Sequence, residues 1–366
     1  MGNDGPHGGR RRGRVPGTHG GRTWEGGPAS PRRVIYLRRC VGWAWAAFEL
    51  QRQMVERYGV AARTVVILGI ADMSWAGRRS VDLSREPQMA ELQYSVYVAP
   101  PKLVVSDGFP PGEDREMWSP TSSTLIHGER DAVLVDPLMT TDESRALADW
   151  VVATGKNVTA IFVTHAHGDH FFGAPAVLER FPDARVVAAS GVAARMDVQY
   201  GLLGGFWNPR FPGQISGQRV TAEPLTDGLL ELEGEQLRAI ELGHTDTDGT
   251  SALHVPSTGL VVAGDAVYGD VNLYLAEAKG NGRQEWLDAL DTIERLQPGA
   301  VVAGHKRDGD ADSPENIGKT RRYIEDFSAA VENADNFTDL YEAMVAVYPG
   351  RVNRAVIWHS AKAFLA

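Results

Sequence analysis

Hydrophobic and polar positions follow a regular pattern from about residue 94 onward, and that pattern predicts alternating strands and helices. Residues Tyr94–Val98 alternate, which is typical of a half-buried strand. Two apolar runs at 124–126 and 132–135 flank a polar turn and predict a β-hairpin. Residues 141–154 have helical spacing, with acidic residues in the first turn and a glycine just past the end. The apolar, partly β-branched run at 158–164 predicts a buried strand.

The alternation continues through the rest of the chain. Further helices are predicted at about 173–180, 190–199, 283–296, 314–333 and 336–347. Further strands are predicted near 185–188, 220–223, 237–241, 251–255, 260–264 and 300–303. Residues 200–219 are rich in glycine, proline and aromatic side chains, and they fit no regular element. Strands backed by helices on both sides predict a layered α/β fold or an αββα sandwich.

A dense cluster of metal-binding side chains follows the strand predicted at 158–164: His165, His167, Asp169 and His170. Residues two apart on extended backbone point the same way, so His165 and His167 can bind one ion together. Gly168 lets the backbone turn sharply, which allows the next aspartate and histidine to face a second ion. The alternative, a solvated polar loop, explains so dense a cluster less well.

Four further polar residues lie at the ends of predicted strands: Asp136, His244, Asp265 and His305. A glycine directly precedes the last three. Groups at strand ends are fixed by the sheet while the neighbouring loops stay open to substrate. A lone histidine after a strand is more often structural, but this arrangement recurs three times. We therefore interpret the four as ligands of a metal centre or as partners of its ligands.

Composition and charge narrow the possible partners. A hydrophobic share of 43% in 366 residues supplies a sizeable core. No apolar run is long enough for a transmembrane helix, so no membrane partner is expected. Residues 88–366 hold 22 basic and 40 acidic residues, and this net charge of −18 argues against binding to nucleic acid. The single cysteine, Cys40, cannot form an intramolecular disulfide, which favours a reducing, cytoplasmic location.

The first part of the chain, residues 1–87, differs from the rest. It holds 15 arginines and 7 acidic residues, and the first lysine of the chain is Lys102. Residues 1–33 have few aliphatic side chains to bury and are expected to be disordered. The extension is interpreted as a targeting or regulatory arm, a basic tail, or an artefact of an upstream start codon. We favour the artefact, with Met73 or Met89 as the true start.

In the order Asp136, His-x-His-x-Asp-His, His244, Asp265 and His305, the chain resembles the metallo-β-lactamase-fold superfamily over roughly residues 90–310. The resemblance implies a four-layer αββα sandwich with a dinuclear metal site at one edge. It further implies a catalytic domain at 88–310, with helices of residues 311–366 packed on it.

The resemblance also implies a role for each residue. The first metal would be held by His165, His167 and His244, and the second by Asp169, His170 and His305. Asp265 would bridge both metals, and Asp136 would hydrogen-bond and orient a ligand histidine. Imidazole and carboxylate ligands suit two Zn²⁺ ions, with Fe or Mn as alternatives. Asp169 would also orient the attacking hydroxide.

These residues do not by themselves identify one branch of the superfamily. A bridging Asp265 disfavours the secreted β-lactamase branches. Tyr268, three residues later, resembles a tyrosine of acyl-homoserine lactonases that contacts substrate oxygen; the alternative is an aromatic side chain packed under a loop. The ligand set also resembles glyoxalase II-like thioesterases, although Asp246 stands where their motif usually has proline.

The insert at 200–219 is the predicted specificity element. Phe206, Trp207 and Phe211 are predicted to line an apolar wall over the metals, or else to bury one another in a surface loop. Residues 272–277 and the C-terminal helices are expected to form the opposite rim. Three other histidines are not predicted to act in the site: His127, His254 and His359.

The sequence thus predicts a dinuclear-metal hydrolase that activates water to cleave a small ester, lactone or thioester. One alternative is a mononuclear-iron enzyme of the sulfur dioxygenase type, and another is a metal-stabilised binding protein without turnover. The expected partner is a small-molecule substrate, and the oligomeric state, a homodimer included, is left open.

Overall fold

The computed structural model describes residues 91–106 and 108–366. The predicted N-terminal extension, 1–87, lies outside the described residues, and so do Cys40 and both proposed start methionines. Within the described part of the chain, every helix is too short or too polar to cross a membrane.

Two sheets make up the centre of the fold. The first has the strand order β1 (Gln93–Val98), β4 (Ser122–His127), β5 (Asp131–Val135), β6 (Asn157–Val163), β7 (Arg185–Ala189) and β8 (Glu223–Leu225). The second has the order β13 (Ala300–Lys306), β12 (Leu260–Gly269), β11 (Thr250–Val255), β10 (Glu235–Gly243) and β9 (Leu229–Leu232). A separate antiparallel pair is formed by β2 (Lys102–Val104) and β3 (Glu116–Trp118), which lie between β1 and β4 in the chain. Strands β5 to β8 are parallel, as are β12 and β13.

Helices connect and cover the sheets. They are α1 (Thr141–Ala153), α2 (Gly168–Phe171), α3 (Ala174–Leu178), α4 (Ser190–Ala193), α5 (Met196–Gly201), α6 (Asn208–Arg210), α7 (Gly282–Arg295), α8 (Glu315–Asn333), α9 (Phe337–Val347) and α10 (Ala355–Leu365). A π-helical turn, Leu203–Trp207, joins α5 to α6. The first helix begins as its sequence predicts, because Thr140 and Glu143 form a reciprocal capping box.

Alternation along the strands divides the hydrophobic side chains among three cores. In β5, Ala132 and Leu134 pack with the helices on the outer face of the first sheet, among them α1. Val133 and Val135 point the other way, into a core between the two sheets. A third core joins the second sheet to α7, α8, α9 and α10. Three cores between four layers make the predicted αββα sandwich.

Several sequence predictions are confirmed element by element. The hairpin at 124–126 and 132–135 is the antiparallel pair β4 and β5, and the helix predicted at 141–154 is α1. The helices after residue 310 pack on the second sheet. The division of the chain at residue 310 stays a prediction.

Other expectations were wrong in detail. The strand expected at 220–223 lies at Glu223–Leu225. The insert at 200–219 is not irregular throughout, since it contains the π-helical turn and α6. Aromatic packing overrides the low helix propensity of its glycines, because Trp207 is buried against Phe172 and Trp118. The sequence also failed to predict β2, β3, β9 and α10.

Candidate metal centre

The ends of five strands meet at one edge of the sandwich. Strands β5, β6, β10, β12 and β13 all direct their carboxyl ends there, and an isolated bridge between Thr121 and His305 joins the two sheets. The pairing of β12 with β13 is irregular between Val262 and Tyr268. Bulges of this kind redirect side chains next to active sites. The irregularity brings Asp265 into the same edge as the histidine cluster.

Two glycines make room for this edge. Gly264 has a φ of 52°, in the left-handed region, and a Cβ there would overlap the side chain of Thr164. A Cβ at Gly304 would overlap the Oδ1 atom of Asp265. Space therefore requires the glycines before both Asp265 and His305, and backbone conformation favours glycine at position 264 as well.

One group of ligand atoms comes from Asp169, His170 and His305, all of them buried. The Oδ2 atom of Asp169 lies 3.7 Å from His170 Nε2 and 3.3 Å from His305 Nε2. These are the three residues predicted for the second metal, and the structure brings them together.

A second group comes from His165, His167 and Asp246. The Oδ2 atom of Asp246 lies 2.7 Å from His167 Nδ1 and 3.6 Å from His165 Nε2. The outer nitrogen of His167, Nε2, lies 3.2 Å from Glu277 Oε1. Asp246 was expected only as a departure from the family motif, yet it lies inside the cluster.

Asp265 lies beside the group formed by Asp169, His170 and His305. Its Oδ1 atom is 3.2 Å from His170 Nε2, and its Oδ2 atom is 3.1 Å from His305 Nε2. The hydroxyl of Tyr268 donates a hydrogen bond to Oδ2 at 2.6 Å. Tyr268 is fully buried, and its ring packs against Trp286. The carboxylate therefore faces two histidines while a tyrosine hydroxyl holds it.

The outward nitrogens of these histidines are held by the protein. His170 Nδ1 donates to Asp136 Oδ2 at 2.9 Å, and His305 Nδ1 donates to the carbonyl of Pro120 at 3.0 Å. The hydroxyl of Thr164 donates to Asp136, so its oxygen accepts from His165 Nδ1 at 3.0 Å. Each imidazole thus presents Nε2 to the centre, which fixes both its tautomer and its orientation.

Asp136 is at the predicted place, next to a ligand histidine. Besides His170, it accepts a hydrogen bond from the backbone N–H of Thr164 at 2.8 Å. Its backbone φ is 56°, a left-handed conformation that aspartate tolerates better than most residues. The strained turn directs the carboxylate back toward the end of the neighbouring strand β6.

Acidic and basic side chains lie close together in this centre, and the carboxylates raise the pKa values of the histidines that face them. Burial lowers the pKa of His167, but the carboxylates of Asp246 and Glu277 outweigh burial and hold that pKa well above its usual value. Burial opposes charge on His305 as well, yet the facing aspartates raise its pKa to about 9. Protons and cations therefore compete for the same atoms, so that metal binding releases protons.

The donor atoms fit a metal. Five buried atoms of the predicted ligands and Asp246 have no hydrogen-bond partner: His165 Nε2, His170 Nε2, His244 Nε2, Asp246 Oδ2 and Asp265 Oδ1. Leaving buried polar atoms unpaired is costly, whereas cations bound beside them would satisfy them. Imidazole nitrogens with carboxylate oxygens are the donors that Zn²⁺ takes, and Fe and Mn accept them too.

Two predicted ligands, His244 and Asp265, belong to none of these groups. In the described part of the chain, no set of ligand atoms lying within 4.8 Å of one another includes either residue. The Nδ1 atom of His244 lies 2.6 Å from Asp248 Oδ1. Its Nε2 atom is buried without a hydrogen-bond partner, and an added Cβ at Gly282 would come within 2.7 Å of it.

A family comparison agrees with this geometry. The family described as the metallo-beta-lactamase superfamily matches residues 117–305, more than half of the chain. The chain belongs to the metallo-β-lactamase superfamily.

Curated relatives match parts of the chain. A hydroxyacylglutathione hydrolase of Parasynechococcus marenigrum is 38% identical over 87 residues, which cover 24% of this chain and 31% of that protein. A metal-dependent hydrolase of Pyrococcus horikoshii is 24% identical over 192 residues, covering 47% of this chain and 76% of that protein. The chain thus spans about a third of the first relative.

Solved structures are similar at low identity. A metallo-beta-lactamase family protein of Thermus thermophilus is 22% identical, with a TM-score of 0.49, over 73% of this chain and 91% of that protein. A metallo-beta-lactamase of Pontibacter korlensis is 17% identical, with a TM-score of 0.45, over 64% of this chain and 99% of that protein.

A cavity of about 490 Å³ opens over the candidate centre. His167, Asp169 and Asp265 reach its floor, and Tyr268 also lines it. Apolar surface predominates in its wall. A largely apolar cavity with a few polar groups at one place is typical of sites that hold a small molecule.

The predicted aromatic wall is partly present. Phe206 and Trp207 line the cavity, whereas Phe211 is buried behind them, 5.5 Å from the ring of Trp118. Arg210 also lines the cavity and stacks over Phe206, 4.0 Å from its ring centroid. The insert therefore does both things expected of it, lining the cavity and burying some of its own aromatics.

Residues not predicted for the site also reach it. The indole N–H of Trp118 donates to Asp169 Oδ2 at 2.9 Å. His359, on α10, lines the far end of the cavity and pairs with Glu116 at 2.8 Å. The opposite rim includes Glu277, as expected, and residues of α10, a helix that the sequence did not predict.

Proposed function

We propose that this protein is a metal-dependent hydrolase with a two-metal centre, which cleaves a small ester, lactone or thioester. One observation carries the proposal: two groups of mostly buried ligand atoms lie beside an open cavity that His167 and Asp169 line. Each group contains an unpartnered histidine Nε2 atom that is suited to a cation. When bound, two cations lower the pKa of a shared water toward neutrality and polarise a substrate oxygen.

The side chains of the centre have distinct tasks in this proposal. Asp265 would hold the cations, and the Tyr268 hydroxyl keeps its carboxylate in place. Burial and the charge of Asp265 raise the pKa of Tyr268, so that this hydroxyl stays protonated. Asp169 accepts a hydrogen bond from Trp118, so its carboxylate is fixed toward the cavity floor. From there it can bind metal and orient the attacking water.

The lining of the cavity is suited to a substrate that has both a carbonyl group and an apolar part. Phe206 and Trp207 offer flat apolar surface, and Arg210 offers a positive charge near the same wall. The partial similarity to hydroxyacylglutathione hydrolases adds thioesters to the candidates. A lactone fits the same floor, because both reactions begin with attack of water on a carbonyl carbon.

A mononuclear-iron oxidation of the sulfur dioxygenase type is a second candidate. The group His165, His167 and Asp246 has two histidines and one carboxylate, a set that open-site Fe(II) enzymes use. The second complete group of ligand atoms argues for two metals instead. Oxygen uptake with a persulfide substrate by the iron form would favour this candidate over hydrolysis.

The decisive experiment is a substrate panel. The purified full chain is loaded with Zn, Mn or Fe, and each form is assayed with lactones, thioesters, β-lactams and phosphodiesters. We expect about two bound metal equivalents and hydrolysis of a lactone or thioester. Folded, active protein without metal would contradict the proposal. Full retention of activity in Asp169→Asn would favour a protein that binds metal without using it in turnover.

A further inference from the structure

We propose that Arg210 forms a binding subsite for a carboxylate group of the substrate, remote from the bond that is cleaved. The proposal rests on the proposed hydrolase function and narrows its substrate class to esters, lactones or thioesters that carry a free carboxylate beyond an apolar part. The observation behind it is an arginine that is fixed in the wall of the cavity and has no acidic partner.

The guanidinium of Arg210 is held in one orientation. Its central carbon lies 4.0 Å from the centroid of the Phe206 ring, and its Nη1 atom donates to the backbone carbonyl of Phe206 at 3.2 Å. The backbone of Arg210 is anchored as well, because its carbonyl accepts a hydrogen bond from the N–H of Val105 at 3.0 Å. The other N–H groups of the guanidinium stay available, and a planar guanidinium edge matches the two oxygens of a carboxylate.

A second arginine of the same insert, Arg219, has different surroundings. It also lies over an aromatic ring, 4.9 Å from the centroid of Tyr200, but it is exposed and donates to Asp197 at 2.8 Å. Arg210 is half-buried and lines the cavity. In the described part of the chain, no ion pair within 4.0 Å includes Arg210. Partial burial of a charge is costly without a partner, so a carboxylate in the cavity would stabilise this arginine.

Away from the metal centre, basic side chains outnumber acidic ones in the cavity wall. The carboxylate there, Glu116, is buried and pairs with His359 at 2.8 Å. Burial raises the pKa of Glu116, but the hydrogen bond with His359 and the nearby charge of Arg210 outweigh burial and lower that pKa below its usual value. Lys362 lines the same cavity and adds a further positive charge. This part of the cavity therefore favours an anion.

Most other donors in the cavity wall are already used within the protein. Their hydrogen bonds run from Trp118 to Asp169, from Trp207 to Gln199, from Tyr268 to Asp265 and from Asn353 to Ser119. Lys362 is exposed, and its Nζ atom lies over the ring of Trp358 on its own helix, 4.7 Å from the centroid. Arg210 is therefore the charged donor of the wall that is best placed for a substrate.

The substrate class follows from this arrangement. The reacting carbonyl belongs at the metal centre, and Phe206 and Trp207 offer apolar surface beside it. The guanidinium of Arg210 then meets a group beyond the apolar part. One guanidinium balances the single charge of a carboxylate, so we expect an acidic acyl group or an acidic leaving group.

Hydrolysis of a matched pair of thioesters is the first test. The probes are the phenyl thioester of glutaric acid with its second carboxyl group free and the same thioester with that group as a methyl ester. For the zinc-loaded full chain, we expect kcat/KM to be at least about 10-fold higher for the free acid, since a charge-assisted hydrogen bond contributes that much. The difference should lie mainly in KM, because the carboxylate does not take part in the reaction.

Three variants assign the preference to Arg210. In Arg210→Met, kcat/KM for the free acid should fall to that for the methyl ester, which itself should change by no more than about two-fold. Arg210→Lys should keep part of the preference, because the charge remains and the planar fork is lost. Arg219→Met is the matched control, since Arg219 is also stacked but already paired, and it should keep the full preference.

A binding measurement separates this proposal from the proposed function. The ligands are the unreactive thioethers in which a methylene group replaces the reacting carbonyl of each probe, and calorimetry measures their Kd. Wild-type protein should bind the acid at least about 10-fold more tightly than the methyl ester, and Arg210→Met should bind both alike. Equal binding by the wild type, failure to bind the acid, or a preference that survives in Arg210→Met would overturn the subsite, the last because the carboxylate would then bind elsewhere. Such results leave the hydrolase function intact, whereas protein that cleaves no ester, lactone or thioester in any metal form would contradict the function itself.

Discussion

The two edges of the sandwich satisfy their polar groups in opposite ways. At the edge opposite the metal centre, Glu233 lies in the turn between β9 and β10 and accepts three backbone hydrogen bonds, at 2.7 to 2.9 Å, from the turn that joins β4 to β5: Glu129, Arg130 and Asp131. These three hydrogen bonds lie at exposed or half-buried positions. At the metal edge, most carboxylates and imidazoles are buried, and five of their atoms have no hydrogen-bond partner.

This difference distinguishes a carboxylate that stabilises the fold from carboxylates that are suited to binding metal. Both edges use a carboxylate to tie one sheet to the other, so the kind of residue does not distinguish them. The metal edge differs because it contains buried polar atoms without hydrogen-bond partners. Such atoms destabilise a fold, so they indicate a function. Substitutions at the metal edge should therefore change metal binding and turnover, whereas substitutions at the opposite edge should change stability alone.

The largest expected effect is that of Asp265→Asn. An amide has no charge and offers only one acceptor oxygen, so it cannot serve the two histidines that now face Asp265. We expect loss of at least one metal equivalent and a fall in kcat/KM greater than the roughly 100-fold that loss of an outer partner costs. Elemental analysis and steady-state kinetics measure the two quantities.

Asp270→Asn is the matched control for that experiment. Asp270 follows the same strand, β12, but is exposed and pairs with Arg307. Its replacement should leave kcat/KM within about two-fold, as is usual for surface substitutions. If the two variants bound equal amounts of metal and kept similar activity, Asp265 would have no role beyond that of a surface carboxylate.

Asp136→Asn should have the next largest effect. Asparagine tolerates the left-handed backbone of this position, but its side chain is a weaker acceptor for the His170 N–H. We expect metal affinity to fall by about 10- to 100-fold, more at the half that contains His170 than at the half that contains His165. Competition with a chelator measures the affinity for each of the two metals separately. If the affinity at the half that contains His170 did not change, Asp136 would not orient His170.

A smaller effect is expected for Trp118→Phe. Phenylalanine keeps the aromatic packing on Trp207 but loses the N–H that Asp169 accepts. A hydrogen bond to a charged group contributes about 1.5–3 kcal/mol, so affinity for the second metal should fall roughly 10-fold or more. Trp207→Phe is the control, because the indole of Trp207 donates to Gln199 instead. That variant should bind metal as tightly as the wild type.

The sequence predicted most of the centre because these residues follow apolar runs that form strands. Asp136 follows β5, whereas Asp265 and His305 lie in the last parts of β12 and β13, and the carboxyl ends of these strands gather at one edge of the sandwich. Trp118 could not be predicted, since it lies 51 residues from Asp169 along the chain, in a strand too short to show a pattern. The helix α10 is apolar on most sides, so no amphipathic spacing indicated it and His359 looked like part of a tail.

The loop at 244–248 shows a further limit of sequence reasoning. His244 directly follows a glycine at a strand end, as Asp265 and His305 do, and nothing local distinguishes it from them. In the folded loop, Thr245 donates a hydrogen bond to Asp246, which faces His165 and His167, while Asp248 holds the Nδ1 atom of His244. Which side chain faces a centre depends on such contacts, and a strand-end pattern does not contain them.

The smallest expected effect on activity is that of Glu233→Gln, at the opposite edge. Three backbone N–H donors lower the pKa of Glu233 from 4.5 to about 2, so its carboxylate stabilises the fold above pH 4.5 and ceases to do so as the pH falls through about 2. The substitution should lower the Tm at pH 7 and lose its effect near pH 2, while kcat/KM and metal content stay at wild-type values. Thermal unfolding measured across this pH range checks the stability effect. A change in metal content would mean that the two edges are coupled, because the turn that Glu233 holds leads into β5, the strand that Asp136 directly follows.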